Sequence, residues 1–221
     1  LARDTVRPAR LARFLASGLI LLTTGIAGLA LWQSWRSYWL VRDVLSPMPT
    51  VRSADLEWAR QVSVTLSWAW LGGLALSGIA FLAWLWRARI NSARLCDAPQ
   101  RLRIRWSLGS WFVPGLNLWW PQMVVSDVWR ASRPDVAGRG ADLRAVRPSR
   151  LVTAWWTLFL LANAVDLVAV HLLTDDGTVS ALLAVVIANT ASGGCTALAA
   201  LAILVIMRRI DRWQTGRLAV R

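Results

Sequence analysis

Asp166 is the one acid inside an otherwise apolar stretch, Leu151–Leu173. An ionised carboxylate in hydrocarbon is costly unless an ion, a proton or a polar neighbour compensates it. Asn163 lies three residues earlier, on the same face of a helix. If the segments on either side of "TDDGTV" (174–179) pack antiparallel, Asn189 and Thr190 fall at a similar depth. Asn163, Asp166, Asn189 and Thr190 therefore read in one of two ways. They form a site for an ion, a proton or a polar solute, or Asp166 is a hydrogen-bonded acid reaching toward the nearby outer surface.

The remaining chemistry-bearing residues are sparse. His171 is the only histidine, so one chain cannot assemble a zinc triad or a bis-imidazole haem site. Cys96 and Cys195 have no metal-ligand spacing, and a disulfide between them is not expected. Asp175 and Asp176 sit in a short loop where acids are usually just solvated. No serine or threonine has a histidine base near it in sequence, and neither a G-x-S-x-G elbow nor a phosphate-cradling glycine loop is present. No cofactor or metal is expected, and nothing argues for an enzyme.

Arginine is the plentiful group. The net charge is +13, and all 25 basic residues are Arg, a bias expected of a GC-rich genome. Their placement argues against nucleic acid as the partner. Arg87, Arg89, Arg94, Arg101, Arg103, Arg105, Arg130 and Arg133 flank a single aromatic segment, as residues facing anionic lipid headgroups would. The same residues could equally serve only to set membrane topology.

The elements that must position these groups are long and apolar. Hydrophobic residues make up 56% of the 221-residue chain, and its mean hydropathy is +0.45. Uncharged runs cover Phe14–Trp35, Gln61–Trp86 and Ser180–Met207, and Leu151–Leu173 is nearly uncharged. Each exceeds the ~20 residues that cross ~30 Å of hydrocarbon. The expected architecture is an all-α integral membrane protein, a single membrane domain over 1–221. Its four transmembrane helices lie near 14–35, 61–86, 151–173 and 180–207. Ser53 is a plausible cap for the second helix, with Asp55 and Glu57 in its first turn, so that helix is expected to run over 53–86. Gly73 with Ser77, and Ser192 with Thr196, supply small packing surfaces. Leu1 in place of Met implies a trimmed N-terminus or a non-ATG start. The first run is read as a retained helix, too long for a signal-peptide core.

A fifth uncharged run, Trp106–Val125, poses a parity problem. Arginine is dense in 1–13, 87–105, 126–150 and 208–221, with four, six, six and five residues. In 36–60 four arginines are offset by three acids, and 174–179 has none. Only if 106–125 does not cross do all four dense clusters share the cytoplasmic side, with both termini. Pro114, Gly115 and Pro121 agree, since proline and glycine break a helix. A cytoplasmic re-entrant or interfacial Trp/Pro helical hairpin is expected at roughly 107–132. Its second helix should be amphipathic, with Gln122, Ser126, Asp127, Arg130 and Arg133 on the polar side. Trp106, Trp111, Trp119, Trp120 and Trp129 suit the headgroup level. Backbone freed at the bend needs a partner, and the Asn117 amide is placed to supply it.

Residues 84–135 resemble the domain-of-unknown-function 4328 family of multi-spanning, mainly actinobacterial membrane proteins. The likeness rests on "RARINSARL" and on "WSLGSWFVPGLNLWWPQMVVSDVWRAS". Gly109, Trp111, Phe112, Pro114, Asn117, Leu118, Pro121, Asp127, Trp129 and Arg130 match the family pattern. The chain departs from it at "RWS", where P-G-W is common, and at Gln122, where Tyr is common. The resemblance implies no reaction, cofactor or substrate.

The reading that best covers these features is a non-enzymatic plasma-membrane module. Its hairpin (Trp111, Pro114, Asn117, Pro121, Asp127, Trp129, Arg130) and arginine surface would hold a lipid headgroup or a partner protein. The alternative is a small transporter or channel component, working as a homo-oligomer through the Asp166 cluster.

Overall fold

Ser149 starts the third long helix in the way a serine N-cap does, its hydroxyl accepting from the Val152 N–H at 3.4 Å. The computed structural model describes residues 10–96, 98–136, 143, 145–175 and 178–219. Its elements are α1 (Arg10–Val44), α2 (Ser53–Leu95), α3 (Trp106–Gly109), α4 (Trp120–Ser132), α5 (Arg150–Asp175) and α6 (Val179–Ala219), with 3-10 turns at Leu116–Leu118 and Pro134–Val136. No strand occurs among the described residues. Four helices, α1, α2, α5 and α6, are long and apolar enough to cross a membrane. They correspond to the four expected spans. The 106–125 run contains only one helical turn, a 3-10 turn and the start of α4, so no spanning helix forms there. Asp176 and Gly177, and the N-terminal arginines before Arg10, lie outside the described residues, as do the side chains of 172–175.

Three helices outrun their expected ends, and α1 runs on past Trp35 to Val44. α2 continues through "RARINSARL" to Leu95 because the added turns bury Ala88, Arg89, Asn91 and Ser92 against protein. α6 continues to Ala219, for the reason given below.

The chain divides into two compact units, to each of which α1, α2, α5 and α6 contribute a segment. One comprises Ile20–Ala75 and Thr157–Ala200. There α1 and α2 approach closely at Gly73, where an added Cβ would stand 2.8 Å from the Thr23 hydroxyl, so small residues do mediate helix packing. Gln33, 1% exposed, crosses between them and donates to the Ala59 carbonyl at 3.1 Å. The Ser192 hydroxyl reaches from α6 to the Ala162 carbonyl of α5 at 3.3 Å. Asp43 closes the 45–52 loop, one carboxylate oxygen accepting from the Thr50 N–H, the Thr50 hydroxyl and the Val51 N–H.

The other unit comprises Leu1–Leu19, Leu76–Trp156 and Leu201–Arg221. Its core joins Trp84, Leu85, Val125, Val128, Ile206, Met207 and Ile210, all essentially inaccessible. Phe81, Trp111, Trp155 and Trp156 form an aromatic cluster with ring centroids 5.3–6.2 Å apart in edge and tilted contacts. Cys96, Ala98, Ala131, Val136 and Leu143 form a smaller apolar cluster beside the connection out of α2.

Candidate functional site

α4 is short, so its position depends on what it packs against rather than on its own propensity. Ten of its residues are buried, including the polar Ser126, Asp127, Arg130 and Ser132. The polar face expected to be wet is instead covered by protein. Asp127, 2% exposed, accepts from the Arg101 backbone N–H at 3.0 Å and its Nε at 2.9 Å, while Nη2 lies 2.7 Å from the carboxylate. Nε and Nη2 both meet Oδ1 while the backbone N–H meets Oδ2, and this charge-assisted set ties α4 to the connection 96–105. Arg130 donates to the Leu143 carbonyl at 3.1 Å. Its burial, followed by the nearby Arg101 charge, pulls the Arg130 pKa below the usual arginine value, while Asp127 works against this. Arg133 leaves the helix end to pair with Asp135 at 2.9 Å, raising its own pKa and lowering that of Asp135.

The end of α6 locks onto this assembly, which explains its length. Gln214 and Arg217 lie three apart on one face. The Gln214 amide donates to the Ala88 carbonyl and to the Ser132 hydroxyl, both at 2.9 Å. Arg217 donates to the carbonyls of Leu95 at 2.7 Å, Ala131 at 3.1 Å and Arg133 at 3.3 Å. One side chain thereby takes up orphan carbonyls at the ends of α2 and α4. Trp213 meets Trp129 edge-on at 4.7 Å. Gln214 and Arg217 carry no recognisable motif; only the extension of α6 could have pointed to them.

Between α2 and α4 lies the proline-glycine arc. α3 is a single turn. Gly115 then takes φ +78°, a backbone that L side chains rarely adopt, and this turns the chain into Leu116–Leu118. Pro121 stands in the first turn of α4, as expected. The side chain that satisfies the arc is Trp156, whose indole N–H donates to the Leu118 carbonyl at 2.7 Å. Asn117, expected in that role, is exposed, and among the described residues its one bond is from its backbone N–H to the Val113 carbonyl at 3.0 Å. Pro114 is exposed within the same arc.

The aromatic and basic residues divide accordingly. Trp129 is buried, Trp111 is half-buried against Phe81 and Trp156, and Trp106 meets Trp120 edge-on at 4.5 Å. Trp119 is 62% exposed and Phe112 74%, with Ile104 and Leu118 also exposed. Of the arginines expected at headgroups, Arg89 is buried and donates to the Leu102 carbonyl at 2.6 Å. Arg101 and Arg133 are held by Asp127 and Asp135, and Arg94 is exposed with a partner of its own. Arg87, Arg103 and Arg105 are exposed and have no side-chain partner among the described residues.

The polar residues expected to gather around Asp166 share no hydrogen bond or ion pair among the described residues. Asn163 donates to the Phe159 carbonyl of its own helix at 2.7 Å. Thr190 accepts from the Trp35 indole N–H at 3.0 Å. Asn189 is half-buried, and Asp166 is exposed beside exposed Leu167, Val168 and Val170. Among the described residues no group of His, Cys, Asp and Glu could hold a metal ion.

A family model described as Domain of unknown function (DUF4328) matches residues 48–212. No curated protein and no solved structure matches the chain.

Proposed function

The chain belongs to the DUF4328 family, and we propose that it is a non-enzymatic membrane module whose 103–119 arc engages the headgroup layer of a lipid bilayer. One observation carries this reading. Phe112, Trp119, Leu118 and Ile104 are exposed on a short arc whose arginines, Arg103 and Arg105, have no side-chain partner among the described residues. Exposed apolar rings next to free guanidinium groups match an interface that is apolar on one side and anionic on the other. The bonds of Asp127, Arg130, Arg217 and Trp156 hold that arc at its base, so little order has to be gained on binding. The arginine distribution supports a cytoplasmic arc, with both termini on that side.

The test places an environment-sensitive dye at Phe112→Cys in a Cys96→Ala/Cys195→Ala background, reconstituted in anionic nanodiscs. Quenching by a nitroxide lipid and protection from aqueous iodide are expected. Full iodide access with no lipid quenching would refute insertion, and a partner protein would then be the occupant to seek.

The exposure of Asp166 on an apolar helix face favours a second reading, a solute pathway or interface completed by another copy of the chain. Flux into vesicles that Asp166→Asn abolishes would support it; flux that the substitution leaves unchanged would end it.

A further inference from the structure

We propose a second, separate site, a cleft between the start of α1 and the end of α6 that binds the phosphate group of a lipid headgroup. The cleft holds about 580 Å³ and is lined by Arg10, Arg13, Arg208, Asp211, Arg212 and Thr215 among others. The spacing of these residues explains why they converge. Arg10 and Arg13 are three apart on α1, and Arg208, Asp211, Arg212 and Thr215 follow at three, four and seven on α6, each set on one helix face. The opposite face of α6 is occupied, Gln214 and Arg217 being bonded to α2 and α4. The helix end is therefore fixed, and its arginine face cannot turn away.

One acid serves four bases. Asp211, 8% exposed, takes the Arg13 Nε at 3.1 Å. The same Arg13 guanidinium lies 4.3 Å from the centre of the Phe14 ring. Both Nη groups of Arg13 are without a hydrogen-bond partner among the described residues. Arg10, Arg208 and Arg212 are exposed and have no partner among the described residues. A cleft bearing four guanidinium groups and one carboxylate carries an excess charge of three. Arginines needed only to set topology have no reason to converge from segments 198 residues apart. Planar guanidinium forks match the oxygens of a phosphate, and the Thr215 hydroxyl adds a donor.

The neighbouring surface decides the source of that phosphate. Leu11, Phe14 and Leu15 are all more than half exposed on the same stretch of α1. An acyl chain fits against them, where a soluble phosphate would leave them in water. The site rests on the membrane reading above but uses none of the residues of the 103–119 arc.

The experiment titrates the full chain in detergent with dioctanoyl phosphatidate, read by native mass spectrometry. The parent is compared with Arg10→Gln/Arg208→Gln/Arg212→Gln and with Arg103→Gln/Arg105→Gln. One basic residue near an anionic surface contributes roughly fivefold in affinity, so the triple variant should bind about a hundredfold more weakly. The Arg103/Arg105 variant should keep the tight adduct, and inorganic phosphate at equal concentration should not displace it. Arg208→Lys/Arg212→Lys, which keeps the charge and loses the fork, should fall between. Unchanged binding by the triple variant would overturn the site. Laurate bound with the same arginine dependence would reduce it to a charged patch, and displacement by inorganic phosphate would transfer it from lipid to solute. If the arc variant alone loses affinity, the arc is the only headgroup site.

Discussion

Replacing Asp127 with asparagine removes the carboxylate that pairs with Arg101 at the base of the arc. It lies within electrostatic reach of three guanidinium groups, those of Arg101, Arg89 and Arg130. Breaking a buried, hydrogen-bonded ion pair by removing one partner costs ~3–5 kcal/mol. Here the Arg101 side chain is 31% exposed and its partner 3%, so water recovers part of the loss for Arg101 but little for the other two. Asparagine also still accepts from the Arg101 backbone N–H. These offsets place Asp127→Asn at ~2 kcal/mol, below that range. For a domain of this size that corresponds to a fall of about 4–8 °C in midpoint. The assay is thermal unfolding in detergent by near-ultraviolet circular dichroism. Arg101→Met and the double variant complete a cycle, and the second substitution should cost less once the first is made, by about 1 kcal/mol. A midpoint for Asp127→Asn within 1 °C of the parent, or strictly additive variants, would show that the pair is a surface contact and that the arc is held by something else.

Three further outcomes are expected. Gly115→Ala forces an L side chain to φ +78° and should lose about 1–3 kcal/mol, visible as a lower midpoint and faster cleavage of 112–119 by protease. Trp156→Phe removes the donor to the Leu118 carbonyl while keeping ring packing. It should lose about 1 kcal/mol and raise amide exchange at 116–119 without altering the α5 amides. Asp135 should titrate below the ordinary carboxylate range because Arg133 donates to it. Since its folded pKa is depressed, the pair's contribution is complete above the unfolded carboxylate value and fades as pH falls through the lower folded one. Carboxyl NMR in Arg133→Gln should return Asp135 to the ordinary range.

What the sequence alone determined about this protein is what depends on short range. Four helices long enough to span follow from unbroken apolar length. The failure of 106–125 to form a fifth follows from Pro114, Gly115 and Pro121, because φ restriction and a missing N–H act within a single turn. The close helix contact at Gly73 was legible too, since a missing side chain permits approach whatever the partner. Partnership was not legible, because a guanidinium binds whichever oxygen the packing brings to it. Arg101 reaches an acid 26 residues away, Trp156 a carbonyl 38 residues away, and Arg13 an acid 198 residues away. Only the tertiary structure decided that Arg89 and Arg130 are spent on carbonyls within the protein, that Arg103 and Arg105 have no side-chain partner among the described residues, and that Asn163 and Thr190 bond to Phe159 and Trp35. Charge clusters bias which loops share a side, since that depends on their sum. Which member of a cluster remains available to a ligand depends on where each competing oxygen lies, and that is a property of the packed chain.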